Sequence, residues 1–334
     1  MPQTGIIIVN YNGKDVIIDC LRALERQSLK DFDLIIVDNG SSDNSLDLIR
    51  NFSPKHSFID PPKIVALNSN KGFAAGNSAG LGHTEADYVA VLNNDAEPER
   101  NWLRDLVIAM ETNPNAGICA SKLIVHGADI IDSAGDGYAT SLKAFKRGEG
   151  ENSRQYVSQE HIFGACAGAA LYRRKMLDEI GFFDDDFFLI HEDTDLNFRA
   201  QLAGWKVAYV PSARVYHKVR STIGPMSDMA VYYTLRNSEF VRIKNVPFSV
   251  FLRCLPSFIL GAVSELIYFA VKHGKLGLYL KAKKDAIKNV SKFLPKRKKI
   301  LSMKKVDDRY ILDMMTSVWN RQFFFSKVKK FVQS

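Results

Sequence analysis

The chain has few cysteines and none in pairs. Cys20, Cys119, Cys166 and Cys254 are scattered, with no CxxC and no histidine at zinc-site spacing. A disulfide framework and a structural zinc site are therefore not expected, and the four read as reduced, buried thiols of a cytosolic protein. Neither GxGxxG nor a GxxxxGK followed by Ser or Thr occurs, so the usual dinucleotide and P-loop readings find no support. Internal repeats and low-complexity linkers are missing too. Residues 1–10 enter a strand pattern with no basic stretch and apolar leader, so secretion is not expected. Glutamate is absent from residues 272–334, where 18 Lys and Arg face 4 Asp, a net +14. That leaves residues 1–271 at about −6 beneath the overall +8. A mildly acidic body with a basic tail implies that the tail meets something anionic, a membrane leaflet or nucleic acid.

With 334 residues, 46% of them hydrophobic, the chain can bury a large core in one domain or two. Gly5 to Val9, Leu34 to Val37, Ile64 to Leu67 and Tyr88 to Leu92 read as strands, the first apolar throughout, as expected when both faces are covered. Between them, Val16, Ile17, Cys20, Leu21 and Leu24, and later Trp102, Leu103, Leu106, Val107 and Met110, fall on helical faces. Pro98 suits the first turn of the second of these helices, over 99–112. Alternating strands and helices argue for a parallel sheet with helices on its faces. Residues 133–156, polar and rich in Gly and Lys, read as an exposed loop. His191 to Arg199 opens a short helix that stops at Gly204, and Val207–Val210 and Ala213–Tyr216 read as two strands, the second delivering His217.

From Pro247 the character changes. Residues 254–271 are apolar apart from Glu265 and small polar residues, but fall short of the ~20 needed to span a bilayer. A helix lying on or dipping into a membrane is the favoured reading, against a span or the core helix of a helical subdomain. Trp319, Phe323, Phe324, Phe325 and Phe331 mixed with Arg321, Lys327, Lys329 and Lys330 suit a bilayer interface. A boundary near 245 would divide a catalytic body, 1–245, from a membrane-associating tail, 246–334.

Ligands in open α/β sheets bind at the carboxyl ends of the strands. Asn10 to Gly13, Asp38 to Asp43 and Asn93 to Glu97 should converge there. Asp38 can accept the imide N–H of a uracil or thymine. Asp95 is a hard oxygen ligand for Mg²⁺ or Mn²⁺, and Asn93 and Asn94 offer amides to ribose or phosphate. The plainer reading of Asn93-Asn94-Asp95 is a turn with an N-cap. Glu192-Asp193-Thr194-Asp195 is a second acidic cluster. Asp193-x-Asp195-x-Asn197 imitates an EF-hand but has Phe198 and Gly204 where Gly and Glu are needed, and His191-Glu192 lacks the second His of a zincin. Helix capping and a general base remain as its two readings. His217 is structural, or a metal ligand if the fold brings it to Asp95.

Taken together, Ile6-Ile7-Ile8-Val9-Asn10-Tyr11-Asn12, Val37-Asp38-Asn39-Gly40-Ser41-Ser42-Asp43, Asn70-Lys71-Gly72-Phe73-Ala74-Ala75-Gly76-Asn77, Leu92-Asn93-Asn94-Asp95, Glu192-Asp193-Thr194-Asp195-Leu196 and His217 resemble the family-2 glycosyltransferases, over residues 4–240 and most nearly a bacterial rhamnosyltransferase-like branch. The resemblance implies a GT-A fold, Rossmann-like, with a mostly parallel central sheet and helices on both faces. It implies inverting transfer from a nucleotide-diphosphate donor, dTDP-rhamnose or a UDP-sugar, to a hydroxyl of a lipid-linked or other glycan acceptor in surface polysaccharide synthesis. Position by position, Asp38 would read the base, with Asn10, Asn12 and Asn70 around the nucleotide and Asn93 and Asn94 near ribose and diphosphate. Asp95 and His217 would bind Mg²⁺ or Mn²⁺. Asp193 would be the catalytic base, with Phe187, Phe188 and Glu192 bordering the acceptor. Asn93 replaces the first carboxylate of the family's DxD, and the Gln/Arg-x-x-Arg-Trp motif of processive synthases is missing. The implied place is the cytoplasmic face of the inner membrane, peripherally attached, without nucleic acid; a catalytically silent GT-A scaffold is the alternative.

Overall fold

The structure, a computed structural model, describes residues 3–53, 61–219, 226–321 and 323–325. Lys327, Lys329, Lys330 and Phe331 lie outside them.

The first half alternates as expected: β1 (Thr4–Asn10), α1 (Ile17–Glu25), β2 (Phe32–Asp38), α2 (Ser45–Arg50), β3 (Lys63–Ala66), α3 (Gly72–Leu81) and β4 (Tyr88–Leu92). Next come β5 (Ala96–Pro98), α4 (Trp102–Thr112), β6 (Ala116–Val125), β7 (Ile131–Ser133), β8 (Asp136–Tyr138), β9 (Ala144–Lys146), β10 (Glu160–Ile162) and β11 (Ala169–Arg173). After α5 (Arg174–Ile180), α6 (Glu192–Leu202) and β12 (Lys206–His217), the chain is helical: α7 (Asp228–Asn245), α8 (Phe248–Leu266), α9 (Leu276–Lys288), α10 (Val290–Ser302) and α11 (Asp308–Met314).

The sheet runs β10-β12-β6-β11-β4-β1-β2-β3, with β1, β2, β3 and β4 parallel and β11 antiparallel between β4 and β6. Successive residues of β1 explain its two covered faces. Ile6 and Ile8 pack with Leu21, Leu24 and Trp102, whereas Ile7 and Val9 pack on the face carrying Ala74, Tyr172 and Leu196. In α4, Trp102, Leu103, Leu106 and Met110 are wholly buried, each contributing roughly 1.5–3 kcal/mol by leaving water.

Three local expectations are corrected. Pro98 sits in β5 opposite Val215 rather than in a helix, tolerated because this short strand pairs only with the end of β12. Lys206–His217 is one strand, with a register shift between Val210 and Arg214 where two strands were expected. Residues 133–156 are not an exposed loop. They carry the β8–β9 hairpin, bury Ala134, Tyr138, Ala139 and Leu142, and bring Lys146 to the cleft described below. Glycines and lysines concealed the hairpin, whose strands are only three residues long.

The helices after 245 share a core with the body. Phe293 and Ile311 pack among Tyr138, Phe187, Phe198 and Phe240. Buried Glu265 of α8 pairs with Lys143 of the hairpin (2.8 Å) and Lys283 of α9 (2.6 Å). Continuing through a π-helical turn, residues 248–272 form one apolar helix long enough to cross a membrane by length and composition.

Candidate active site

Strand ends and the start of α6 meet around a cleft of about 640 Å³. On its nucleotide side the register of β1 with β2 sets Asn10 beside Asp38, and Asn10 Nδ2 donates to Asp38 Oδ1 at 3.1 Å. Asn10 Oδ1 accepts from Asn94 Nδ2 at 3.0 Å, and Asp38 also accepts from the Ser41 backbone and hydroxyl. Asn12, at φ 51°, accepts from the Ser42 backbone. These three residues bind neighbouring loops together behind the cleft wall, which is formed here by Tyr11, Asn39, Asn70, Asn93 and Asn94. Asn39 Nδ2 donates to Asn70 Oδ1 at 3.1 Å, joining the second and third strand ends. Gly72, at φ +88°, lets this loop press against Phe188, because a Cβ there would lie 2.4 Å from the Phe188 carbonyl oxygen.

At the centre, the antiparallel pairing of β5 with β12 puts His217 opposite Ala96. Asp95 Oδ1 consequently lies 3.1 Å from His217 Nε2, and Asn93 Nδ2 3.3 Å from the same nitrogen. The other ring nitrogen, Nδ1, is 2.9 Å from Asp132 Oδ2 of β7, and Asp132 Oδ1 accepts from Lys146 at 2.7 Å. Burial works against a charge on His217, but hydrogen bonds to Asp132 and Asp95 outweigh it and raise its pKa to about 9. Burial likewise opposes the Asp132 carboxylate, yet His217 and Lys146 hold it at about 2. A carboxylate and an imidazole thus converge on one point, a donor pair suited to a divalent cation. Five carboxylates, Asp95, Asp136, Glu149, Glu192 and Asp193, line the cleft, while Lys146 is its one permanently cationic side chain among the described residues. Such a cleft accommodates a diphosphate best when a metal offsets the charge.

The opposite side is built by the turn into α6. Phe188, Ile190 and His191 all have positive φ, a strained path held by fully buried Asn237, whose Nδ2 donates to the carbonyls of Phe187, Leu189 and Ile190 at 2.7–2.9 Å. The strain aims the first turn of α6 into the cleft. Asp193 Oδ2 accepts from the Ala167 backbone at 3.2 Å and Oδ1 from the Thr194 backbone at 2.6 Å, which orients the carboxylate. Glu192 is 5% exposed and its Oε2 has no partner; burial first and then the Asp193 charge push its pKa well up. Asp136 and Cys166 lie within 4.8 Å of Asp193, and burial followed by the Asp193 charge raises Asp136 as well.

Asp193, Glu192 and Phe188 line the cleft, and Phe187 does not. It is 0% exposed, packed edge-on against Phe240 beneath Lys244, because the turn directs alternate side chains to core and cleft. Asp195, from the same acidic cluster, is buried against Arg199 and Lys244 and is structural. Sequence reasoning missed Tyr11, Asn39, Asp132, Asp136, Lys146 and Cys166. The available signal for two of them was Asp132-Ser133-Ala134-Gly135-Asp136, small residues bracketed by carboxylates.

Comparisons with known proteins agree with this architecture. A family profile described as Glycosyl transferase family 2 matches residues 5–181, more than half of the chain. Poly-beta-1,6-N-acetyl-D-glucosamine synthase of Staphylococcus epidermidis is 24% identical over 223 residues, covering 66% of this chain and 51% of its own. Probable glycosyltransferase YdaM of Bacillus subtilis (strain 168) is 25% identical over 230 residues, covering 66% and 52%. The chain thus spans about half the length of the curated relatives it matches. Among solved structures, S. aureus TarS 1-349 in complex with UDP superposes with a TM-score of 0.54 at 17% identity, covering 90% of this chain and 88% of that one. GalNAc-T7 with UDP, GalNAc and Mn²⁺ does so with a TM-score of 0.60 at 15% identity, covering 87% and 56%. These two likenesses share the GT-A fold with this chain. The profile match assigns the family: the chain belongs to glycosyl transferase family 2.

Proposed function

We propose that this protein transfers one sugar at a time, with inversion, from a nucleotide-diphosphate donor to a hydroxyl of a surface-polysaccharide acceptor. The observation that carries the reading is that the Asp95–His217 pair and the Asp193 carboxylate face the same cleft, with Tyr11, Asn39 and Asn70 at one end. Asp193 accepts the proton of the acceptor hydroxyl as that oxygen attacks C1 from the face opposite the leaving nucleotide. Glu192 Oε2, buried and unpartnered, accepts a hydrogen bond from a second acceptor hydroxyl, and Phe188 offers an apolar edge to the sugar ring. Asp95 and His217 would hold Mn²⁺ or Mg²⁺, the imidazole favouring the transition metal; when bound it supplies charge to offset the diphosphate.

UDP in the TarS and GalNAc-T7 structures supports a UDP-sugar, and the rhamnosyltransferase-like motifs support dTDP-rhamnose; both belong in the first assay. The relatives' polymer supports a glycan acceptor, with lipid linkage bringing it to a membrane. Residues 1–245 carry the chemistry and 246–334 the attachment, peripherally, at the cytoplasmic face of the inner membrane. The apolar helix 248–272 lies in the interface rather than spanning it, since Glu265 ties one of its faces to Lys143 and Lys283. Asp193→Asn should cut transfer by about 10²–10⁴-fold while donor affinity, read by calorimetry, stays unchanged. An active Asn variant would contradict the assignment.

A further inference from the structure

We propose that Asp132 is a positioning residue for metal binding: it holds His217 as the Nδ1–H tautomer, so that the Nε2 lone pair faces the corner made by Asp95 and Asn93. The inference rests on the reading of His217 as a metal ligand. A neutral imidazole has one N–H and one lone pair, and a carboxylate is acceptor-only. With Asp132 Oδ2 2.9 Å from Nδ1, the proton belongs on Nδ1. In the metal-free protein Nε2 also carries a proton, which Asp95 Oδ1 accepts at 3.1 Å; a cation taking that proton's place would meet the Nε2 lone pair beside Asp95 Oδ1, with Asn93 Nδ2 3.3 Å away, while Asp132 keeps the Nδ1–H.

Asp132 is itself immobilised. It is 4% exposed, sits on β7 across β6 from β12, and has its second oxygen engaged by Lys146 at 2.7 Å. It does not line the cleft, so it reaches a bound cation only through the imidazole. Carboxylate partners of this kind fix ring orientation and raise ligand basicity, and their loss typically weakens metal binding 10–100-fold. Without Asp132 the ring is free to present Nε2–H, a proton where the metal needs a lone pair.

The competing role is a counter-ion for Lys146 alone, which lines the cleft, and a double-mutant cycle separates the two. Mn²⁺ is titrated into the full-length protein with saturating UDP and free Mn²⁺ is read by electron paramagnetic resonance, for wild type, Asp132→Asn, His217→Ala and the double variant. We expect Asp132→Asn to weaken Mn²⁺ 10–100-fold in the wild-type background and less than twofold in the His217→Ala background. An equal loss in both backgrounds, or less than twofold loss in the first, overturns the proposal. If wild type binds no Mn²⁺, the metal-ligand reading of His217 falls and takes this one with it. Should Asp132→Asn not fold, histidine ¹⁵N spectra of wild type with Zn²⁺ and UDP decide: Nδ1–H at His217 is expected, and Nε2–H contradicts it.

Discussion

Helices α4 and α8 have similar patterns and opposite fates. Both repeat apolar residues at helical spacing, yet Leu103, Leu106 and Met110 of α4 are wholly buried, whereas Phe248, Leu252, Ile259 and Val263 of α8 are 68, 50, 54 and 50% exposed. The sheet covers the apolar face of α4, whereas α8 buries Val250 and Cys254 against the body and leaves this stripe open to solvent. The contrast follows the charge: α4 belongs to the acidic body, and α8 leads into the segment with net +14. An apolar stripe beside lysines is stable in water only at a cost, and an anionic bilayer relieves it. Amphipathic periodicity therefore specifies a helix with an apolar face, and its surroundings decide whether that face meets a core or a membrane.

The contrast breaks most sharply under truncation. Leu106→Ala should destabilise the protein by about 2–5 kcal/mol, whereas Leu252→Ala should stay within about 0.5 kcal/mol, both read by denaturant unfolding. Equal losses would mean that α8 is covered in the free protein. Next, Phe248→Asp, Leu252→Asp and Val263→Asp combined should reduce flotation with anionic vesicles at least about tenfold, roughly 1.4 kcal/mol, with turnover on a soluble acceptor unchanged. Retained flotation would remove α8 from the interface. The smallest effect concerns Glu265, the charge that anchors α8. Burial would raise its pKa, but Lys143 and Lys283 hold it at about 2, below its ordinary 4.5. A depressed carboxylate stabilises the fold above its unfolded value, and that stability is lost as pH falls through the folded one. The melting-temperature advantage of wild type over Glu265→Gln should accordingly be full above pH 4.5 and close towards pH 2. An advantage independent of pH would show that packing, not charge, anchors the helix.

Most of the parallel half was legible, because Ile6 to Val9, Leu34 to Val37 and Tyr88 to Leu92 are apolar runs that only a doubly covered strand explains. The polar residues that end them were legible for the same reason. What the sequence could not disclose is which of those residues face the cleft. Asn10 and Asp38 spend their hydrogen bonds on each other and on Ser41, while their neighbours Tyr11 and Asn39 form the wall. Long-range pairing was hidden as well. Asp132 meets His217 only because β7 and β12 flank β6, a register that no local pattern announces. Phe187 and Phe188 are adjacent aromatics of equal propensity, and the positive φ at Phe188 alone sends one to the core and the other to the cleft.

The most direct test of the whole account is thermal stability of the purified protein with UDP and with dTDP, each with and without Mn²⁺. A nucleotide that binds the folded state alone, at 100-fold excess over its dissociation constant, adds about 2.7 kcal/mol. The account predicts that one of the two stabilises the protein and that Mn²⁺ enlarges the effect, which would also name the donor class. Absence of any response to either nucleotide, with or without the metal, would contradict it.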